Sequence, residues 1–178
     1  MKVSTIAWGI VIGATGLTLA GCGGGGSSSS TENTTVGAIT SFGSVFVNGC
    51  EYETDSASIT IDGQPGTEAD LSVGDVVQVS GPTNCVNGTA TSINFADDLE
   101  GIVDSNSVSA TTGTGTMTVM GQSVTVTPIT IFEDETNSIA TIDAIAAGNV
   151  VEISGFGVGK GNIVASRIEV KATAHTPG

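Results

Sequence analysis

Carboxylates are the reactive groups this sequence holds in quantity: 18 Asp and Glu stand against 4 Lys and Arg and a single His, for a formal net charge of −14. They gather in two clusters, Glu133-Asp134-Glu135 and the trio Asp97, Asp98 and Glu100. Calcium takes several loop oxygens, but neither cluster has the spaced Asp-x-Asp-x-Asp-Gly pattern, and solvated loop charge accounts for both. No metal site is therefore expected. Two close carboxylates are also the machinery of glycoside hydrolysis. Other catalytic patterns are missing: there is no Gly-x-Ser-x-Gly, His-Glu-x-x-His, P-loop or dinucleotide fingerprint, and His175, the one histidine, lies in the C-terminal stretch Thr173–Gly178. These residues describe a protein without catalysis and without a cofactor.

The acidity is uneven. Val36 to Glu100 contains no Lys or Arg, and attraction to nucleic-acid phosphate needs those cations. Nucleic acid is excluded as a partner. The same stretch and the one after it are rich in Val, Ile, Thr, Ser and Gly and have no long helix-forming run, the composition of an all-β protein.

The thiols carry different chemistry. Met1-Lys2 is followed by an uncharged apolar run, Ile6 to Leu19, of signal-peptide length and short of the roughly 20 residues of a membrane span. The run ends in Leu19-Ala20-Gly21-Cys22, which resembles the bacterial lipobox. The resemblance implies that residues 1–21 are a lipoprotein signal peptide and that Cys22 is acylated, making the membrane a partner through this lipid anchor. Gly23 stands where, by the same resemblance, an aspartate would favour inner-membrane retention; the expected location is the outer membrane, on its periplasmic or surface face. Residues 22–35, the lipidated Cys and a Gly/Ser-rich tract, read as a flexible linker with an end-to-end distance of roughly 20 Å. With Cys22 taken, Cys50 and Cys85 remain as a disulfide pair for an exported chain.

The chain repeats itself. Leu71-Ser-Val-Gly-Asp-Val-Val-Gln-Val-Ser-Gly81 matches Ile145-Ala-Ala-Gly-Asn-Val-Val-Glu-Ile-Ser-Gly155, and Thr89–Phe95 matches Val164–Val170 at nearly the same offset. The reading is two domains, 36–97 and 98–171, with a tail at 172–178. In the first copy, strands are expected at Val36–Phe42, Ser44–Val47, Cys50–Thr54, Asp75–Ser80 and Thr89–Phe95, with Asn48-Gly49 as a hairpin turn and an extended piece at Ile59–Ile61. In the second copy, Ile139, Ile142 and Ile145 recur every third residue between Ser138 and Gly148, which predicts a short capped helix. Three strands, a helical element and a closing hairpin make the order of the five-stranded OB barrel. The fold class is thus all-β, with two tandem small OB-like barrels after the signal peptide and linker. Each copy closes on itself, so the two are expected to unfold nearly independently.

The combination of Gly-x-Ile, Phe-Gly-Ser-Val-Phe-Val-Asn-Gly, Leu-x-Val-Gly-Asp-Val-Val-x-Val-x-Gly and a closing Ala-x-x-Ile strand resembles the bacterial domain of unknown function 5666. The resemblance spans roughly Val36 to Val170 and implies tandem OB-like modules in exported proteins. It brings no activity and no site residues.

Within the barrel reading, strands three and five run side by side from the same end, which sets Cys50 and Cys85 together. Phe42, Phe46 and Tyr52 fall on the first three strands of copy one, the sheet that OB barrels use for binding; the plainer account is that they fill the barrel. The expected function is a non-catalytic envelope lipoprotein that binds a protein or glycan or has a structural role. The alternatives are a calcium-dependent surface or adhesion module and a carboxylate-based hydrolase.

Overall fold

A computed structural model describes residues 33–82 and 85–174. Among them the chain is nearly all β, in two sheets that follow the two sequence repeats. The first repeat contains β1 (Asn33–Ser41), β2 (Val45–Val47), β3 (Cys50–Glu53), β4 (Ser58–Ile61), β5 (Gln64–Gly66), a 3-10 turn (Glu68–Asp70), β6 (Val76–Gly81), β7 (Gly88–Thr89) and β8 (Ser92–Phe95). The second contains β9 (Leu99–Asn106), β10 (Gly115–Val119), β11 (Gln122–Val126), β12 (Ile131–Asp134), a 3-10 turn (Ile142–Ala144), β13 (Val150–Gly159) and β14 (Asn162–Ala172).

The pairings correspond repeat to repeat. In the second, β9, β10 and β11 pair antiparallel in turn, β11 pairs parallel with β14, β14 antiparallel with β13, and β13 antiparallel with β9. In the first, β1, β2 and β3 pair in the same way and β1 also pairs with β6. Here the last strand is split, β7 lying parallel to β3 and β8 antiparallel to β6. Alternate positions point inward and fill one core per repeat: Ile39, Val45, Tyr52, Val77 and Ile93 in the first, Val103, Met117, Val124, Ile153 and Ile168 in the second.

The shared motif has a local cause at each of its special residues. Gly74 and Gly148 both have positive φ, +99° and +92°, a region glycine enters without a Cβ clash. The amide of each donates to the strand ahead, to the Ile39 and Val103 carbonyls. The next residue, Asp75 or Asn149, folds its side chain back to accept from the Ser72 or Ala146 amide at 2.7 Å. The closing glycine marks a close crossing of strands. A Cβ on Gly155 would meet the Val164 carbonyl oxygen at 2.5 Å and Ala165 Cα at 3.1 Å, and one on Gly81 would strike the Thr89 carbonyl. Gly155→Ala should therefore cost about 1–3 kcal/mol by overpacking against backbone, whereas Gly157→Ala, with nothing within 4 Å, should be nearly neutral in the same urea-unfolding experiment.

Four expectations need correction. Asn33 to Thr35, assigned above to the linker, are the start of β1 and pair with Gly81 to Val79. Ala172, assigned to the tail, ends β14. The fifth strand of the first repeat is broken between Thr89 and Ser92, where the Ala90 amide turns to the Glu53 carbonyl and the Thr91 amide to Ser80. No helix forms between Ser138 and Gly148 beyond the turn at Ile142–Ala144. The Ser138 and Ile139 amides are taken by the Asp134 carboxylate, and the Asn106 side-chain amide takes the Ile142 and Ile145 carbonyls. The three isoleucines still face the core, with Ile145 buried in it.

Candidate functional site

An apolar cleft of about 620 Å3 lies between the repeats. One wall is Ala38 to Thr40 of β1 with Val73 and Gly74; the other is Thr127 to Ile129, Ile131, Phe156 and Val164 to Ser166. Pro128, which has no N–H, follows the end of β11, and the chain turns at once: the Thr130 amide donates to the Thr127 carbonyl, and the Thr130 hydroxyl to the Ala165 carbonyl at 2.8 Å. This loop holds Ile129 out at the mouth, 86% exposed, beside Phe156 at 42%. On the opposite wall Gly74 lets the backbone approach closely, since a Cβ there would lie 2.9 Å from Arg167 Cβ and 3.1 Å from Ile131 Cδ1.

Beside the cleft a buried charge network joins the repeats. Arg167 is 6% exposed and Asp75 is 4% exposed; Arg167 Nε lies 3.4 Å from Asp75 Oδ1. The same guanidinium reaches Glu133 Oε2 at 2.5 Å and Glu169 Oε2 at 3.0 Å. The Val76 amide adds a hydrogen bond across the junction to Ser154 Oγ at 2.6 Å. Asp75 shows why the motif carries Asp in the first repeat and Asn in the second: Asn149 Nδ2 donates to the Thr173 carbonyl instead of facing a cation. The two repeats thus touch through this ion pair and hydrogen bond.

Strand register lines up four glutamates: Glu100 on β9, Glu152 on β13, Glu169 on β14 and Glu133 on β12 are direct cross-strand neighbours. Like charges so placed repel, and the two cations of β14 sit among them. Lys171 Nζ contacts Glu135 at 2.7 Å, Glu152 at 3.2 Å and Glu169 at 3.5 Å. Burial raises the Asp75 and Glu169 carboxyls, against the Ser72 amide and Arg167 in one case and Arg167 and Lys171 in the other. Asp97 is pushed up to about 8, first by burial and then by Glu152, Asp62 and Glu100 around it. Its Oδ1 is buried and, among the described residues, has no hydrogen-bond partner.

That shift gives a pH dependence of definite sign. An unfolded Asp titrates near 3.9, so between about pH 4 and 8 the folded chain holds a proton that the unfolded chain has lost. Asp97 therefore makes stability fall as pH rises through that window. Melting temperature should decline from pH 5 to 8 more steeply in the wild type than in Asp97→Asn; parallel curves would remove Asp97 as the cause.

The residues singled out in the sequence divide as follows. Cys50 and Cys85 form a disulfide with a Cα separation of 4.0 Å, and the parallel pairing of Tyr52 with Gly88 sets the two strand starts together. Phe42, Phe46 and Tyr52 do not share a binding face. Tyr52 is 1% exposed in the core with its hydroxyl donating to Thr35 Oγ1 at 3.0 Å, Phe46 alternates outward between buried Val45 and Val47, and Phe42 lies in the turn between β1 and β2. Of the acidic clusters, Glu133 to Glu135 is engaged by the protein. Glu133 pairs with Arg167 and Glu135 with Lys171; Asp134 accepts from the Thr136, Ser138 and Ile139 amides. Asp98 accepts from the Gly155 amide, and Glu100 belongs to the glutamate row. Among the described residues no group of three His, Cys, Asp or Glu could hold a metal ion. Cys22, the expected signal peptide and His175 lie outside the described residues.

Sequence reasoning missed the cleft and its neighbours Asp75, Arg167 and Lys171. A signal existed: with so few cations in the chain, two on one strand mark a place where charge is needed. No curated protein and no solved structure matches the chain. A family described as a domain of unknown function, DUF5666, matches it twice in tandem, over residues 35–94 and 100–169. Together these matches cover more than half of the sequence, and the chain belongs to the DUF5666 family.

Proposed function

We propose that this chain is a non-catalytic binding lipoprotein of the cell envelope. Two OB-like barrels, 36–97 and 98–171 apart from the residues reassigned above, hang from a lipidated Cys22 at the outer membrane and hold a partner in the cleft between them. The circuit of pairings from β9 through β10, β11, β14 and β13 back to β9 supports the barrel reading. The observation that carries the binding reading is the cleft, whose walls are aliphatic and whose mouth presents Ile129 and Phe156 to solvent. Of the partner classes considered, a glycan is the weaker, because sugar hydroxyls need polar groups and an aromatic platform that these walls do not supply. Calcium loses support at Glu133, Asp134 and Glu135, which already pair with Arg167, backbone amides and Lys171. The hydrolase reading rests only on the Asp97 and Glu152 carboxylates, which do not line the cleft.

Two measurements test the proposal. Cys22→Ala should leave the protein unprocessed or released from the membrane fraction and without palmitate label; processing and membrane binding like the wild type would overturn the anchor. N-phenyl-1-naphthylamine, a neutral apolar dye, should fluoresce on binding the full chain, about tenfold more weakly after Ile129→Asp. Dye binding unchanged by that substitution would remove the cleft as the site.

A further inference from the structure

We infer that the cleft between the repeats binds the aliphatic chain of an uncharged, esterified lipid, of the monoacylglycerol class. The inference rests on the binding reading above and names its ligand.

Three observations select this chemistry. The walls are branched aliphatic side chains, Val73, Ile129, Ile131 and Val164 among them, with one aromatic ring, Phe156. The volume of about 620 Å3 is that of a small-molecule site. The side-chain hydroxyls that line the cleft are already used. Thr40 Oγ1 donates to the Phe46 carbonyl at 3.2 Å, Ser166 Oγ to the Ser154 carbonyl at 2.9 Å, and Thr127 Oγ1 shares a hydrogen bond with Thr130 Oγ1 at 3.2 Å. On the backbone, the Gly74 amide is bonded to the Ile39 carbonyl, and the Ala165 carbonyl accepts from Thr130. An inserted peptide would bring N–H and C=O groups with few partners, at a cost that a hydrocarbon chain avoids.

Charge decides the headgroup. The chain is strongly acidic, and the row of glutamates on β9, β13, β14 and β12 belongs to the repeat that forms one wall. Arg167 and Lys171 are held by carboxylates, and Lys160, at the tip of the β13–β14 hairpin, does not line the cleft. A carboxylate or phosphate head would meet repulsion with no cation among the described residues lining the cleft to offset it. An ester or hydroxyl head would not.

The test uses the full chain carrying Cys22→Ala, so that it has no acyl chain of its own, and Trp8→Phe with Phe156→Trp, so that a single indole reports at the cleft mouth. Titration with monooleoylglycerol below its aggregation limit should give a saturable blue shift with one ligand per chain. Oleate should bind at least tenfold more weakly. Adding Ile129→Asp should weaken monooleoylglycerol at least tenfold, while Met120→Asp, at an exposed turn elsewhere on the second repeat, should change it less than twofold. Equal or tighter binding of oleate, no saturable shift, or a shift indifferent to Ile129→Asp would each overturn the inference. If the neutral dye binds in the cleft and monooleoylglycerol does not, the ligand class is wrong and the binding reading stands. If neither binds, both fall.

Discussion

Arg167→Ala should destabilise the chain by about 3–5 kcal/mol, the cost of removing one partner of a buried ion pair. Burial opposes the charge on this guanidinium, yet Glu133, Glu169 and Asp75 together raise its pKa above the ordinary arginine value. Asp75, 4% exposed in the folded chain, then loses its cation, and the four-glutamate row loses one of its two counter-charges. Urea unfolding of both variants and the double variant reads the effect. In an Asp75→Asn background the loss on Arg167→Ala should be clearly smaller, since no buried carboxylate is then stranded; an equal loss would mean that the pair across the junction contributes nothing. Lys171→Ala should cost about 1 kcal/mol or less, because its side chain is partly exposed and its pairs are screened.

Reduction of the Cys50–Cys85 disulfide should lower the stability of the first repeat by about 4 kcal/mol in the chain-entropy model. The bridge spans a sequence separation of 35 and ties the start of β3 to the segment before β7. That segment needs the tie: β7 is two residues long and pairs with β3 over Tyr52 and Glu53 only. The second repeat has Gln122 at the corresponding strand start and a continuous β14 instead. Cys50→Ser with Cys85→Ser should reproduce the effect of reductant and abolish further response to it. Amide exchange should rise most around β3 and β7 and least in β10 and β11. A uniform rise, or no change in unfolding midpoint on reduction, would contradict the role given to the bridge.

What was legible in the sequence was local or repeated. Asn48-Gly49 forms its turn with φ of +53° and +77°, and the Gly-Asp and Gly-Asn motifs start β6 and β13 in matching geometry. The strand order followed from turn chemistry and hydrophobic alternation, and with it the disulfide. The predicted helix failed because its backbone groups had better partners: the Asp134 carboxylate and the Asn106 amide, 36 residues before Ile142, outcompeted the period-three pattern. The cleft was not readable at all, since Ala38 and Ser166 belong to different repeats and nothing in either copy announces a shared wall. The exchange of Asp75 for Asn149 within an otherwise matching motif was the one residue-level sign that the first repeat faces something the second does not. The aromatic residues misled for a plainer reason. Alternation along β2 and β3 sends Phe46 and Tyr52 to opposite faces.

The two repeats form one docked unit around the cleft, and hydrogen exchange on the full chain with Arg167→Ala tests this most directly. Arg167 belongs to the second repeat, yet its loss should speed exchange of the β6 amides Val77 and Val79 in the first, along with Ile153 and Ile168 in its own core. Faster exchange confined to the second repeat, with β6 protected as in the wild type, would contradict the claim.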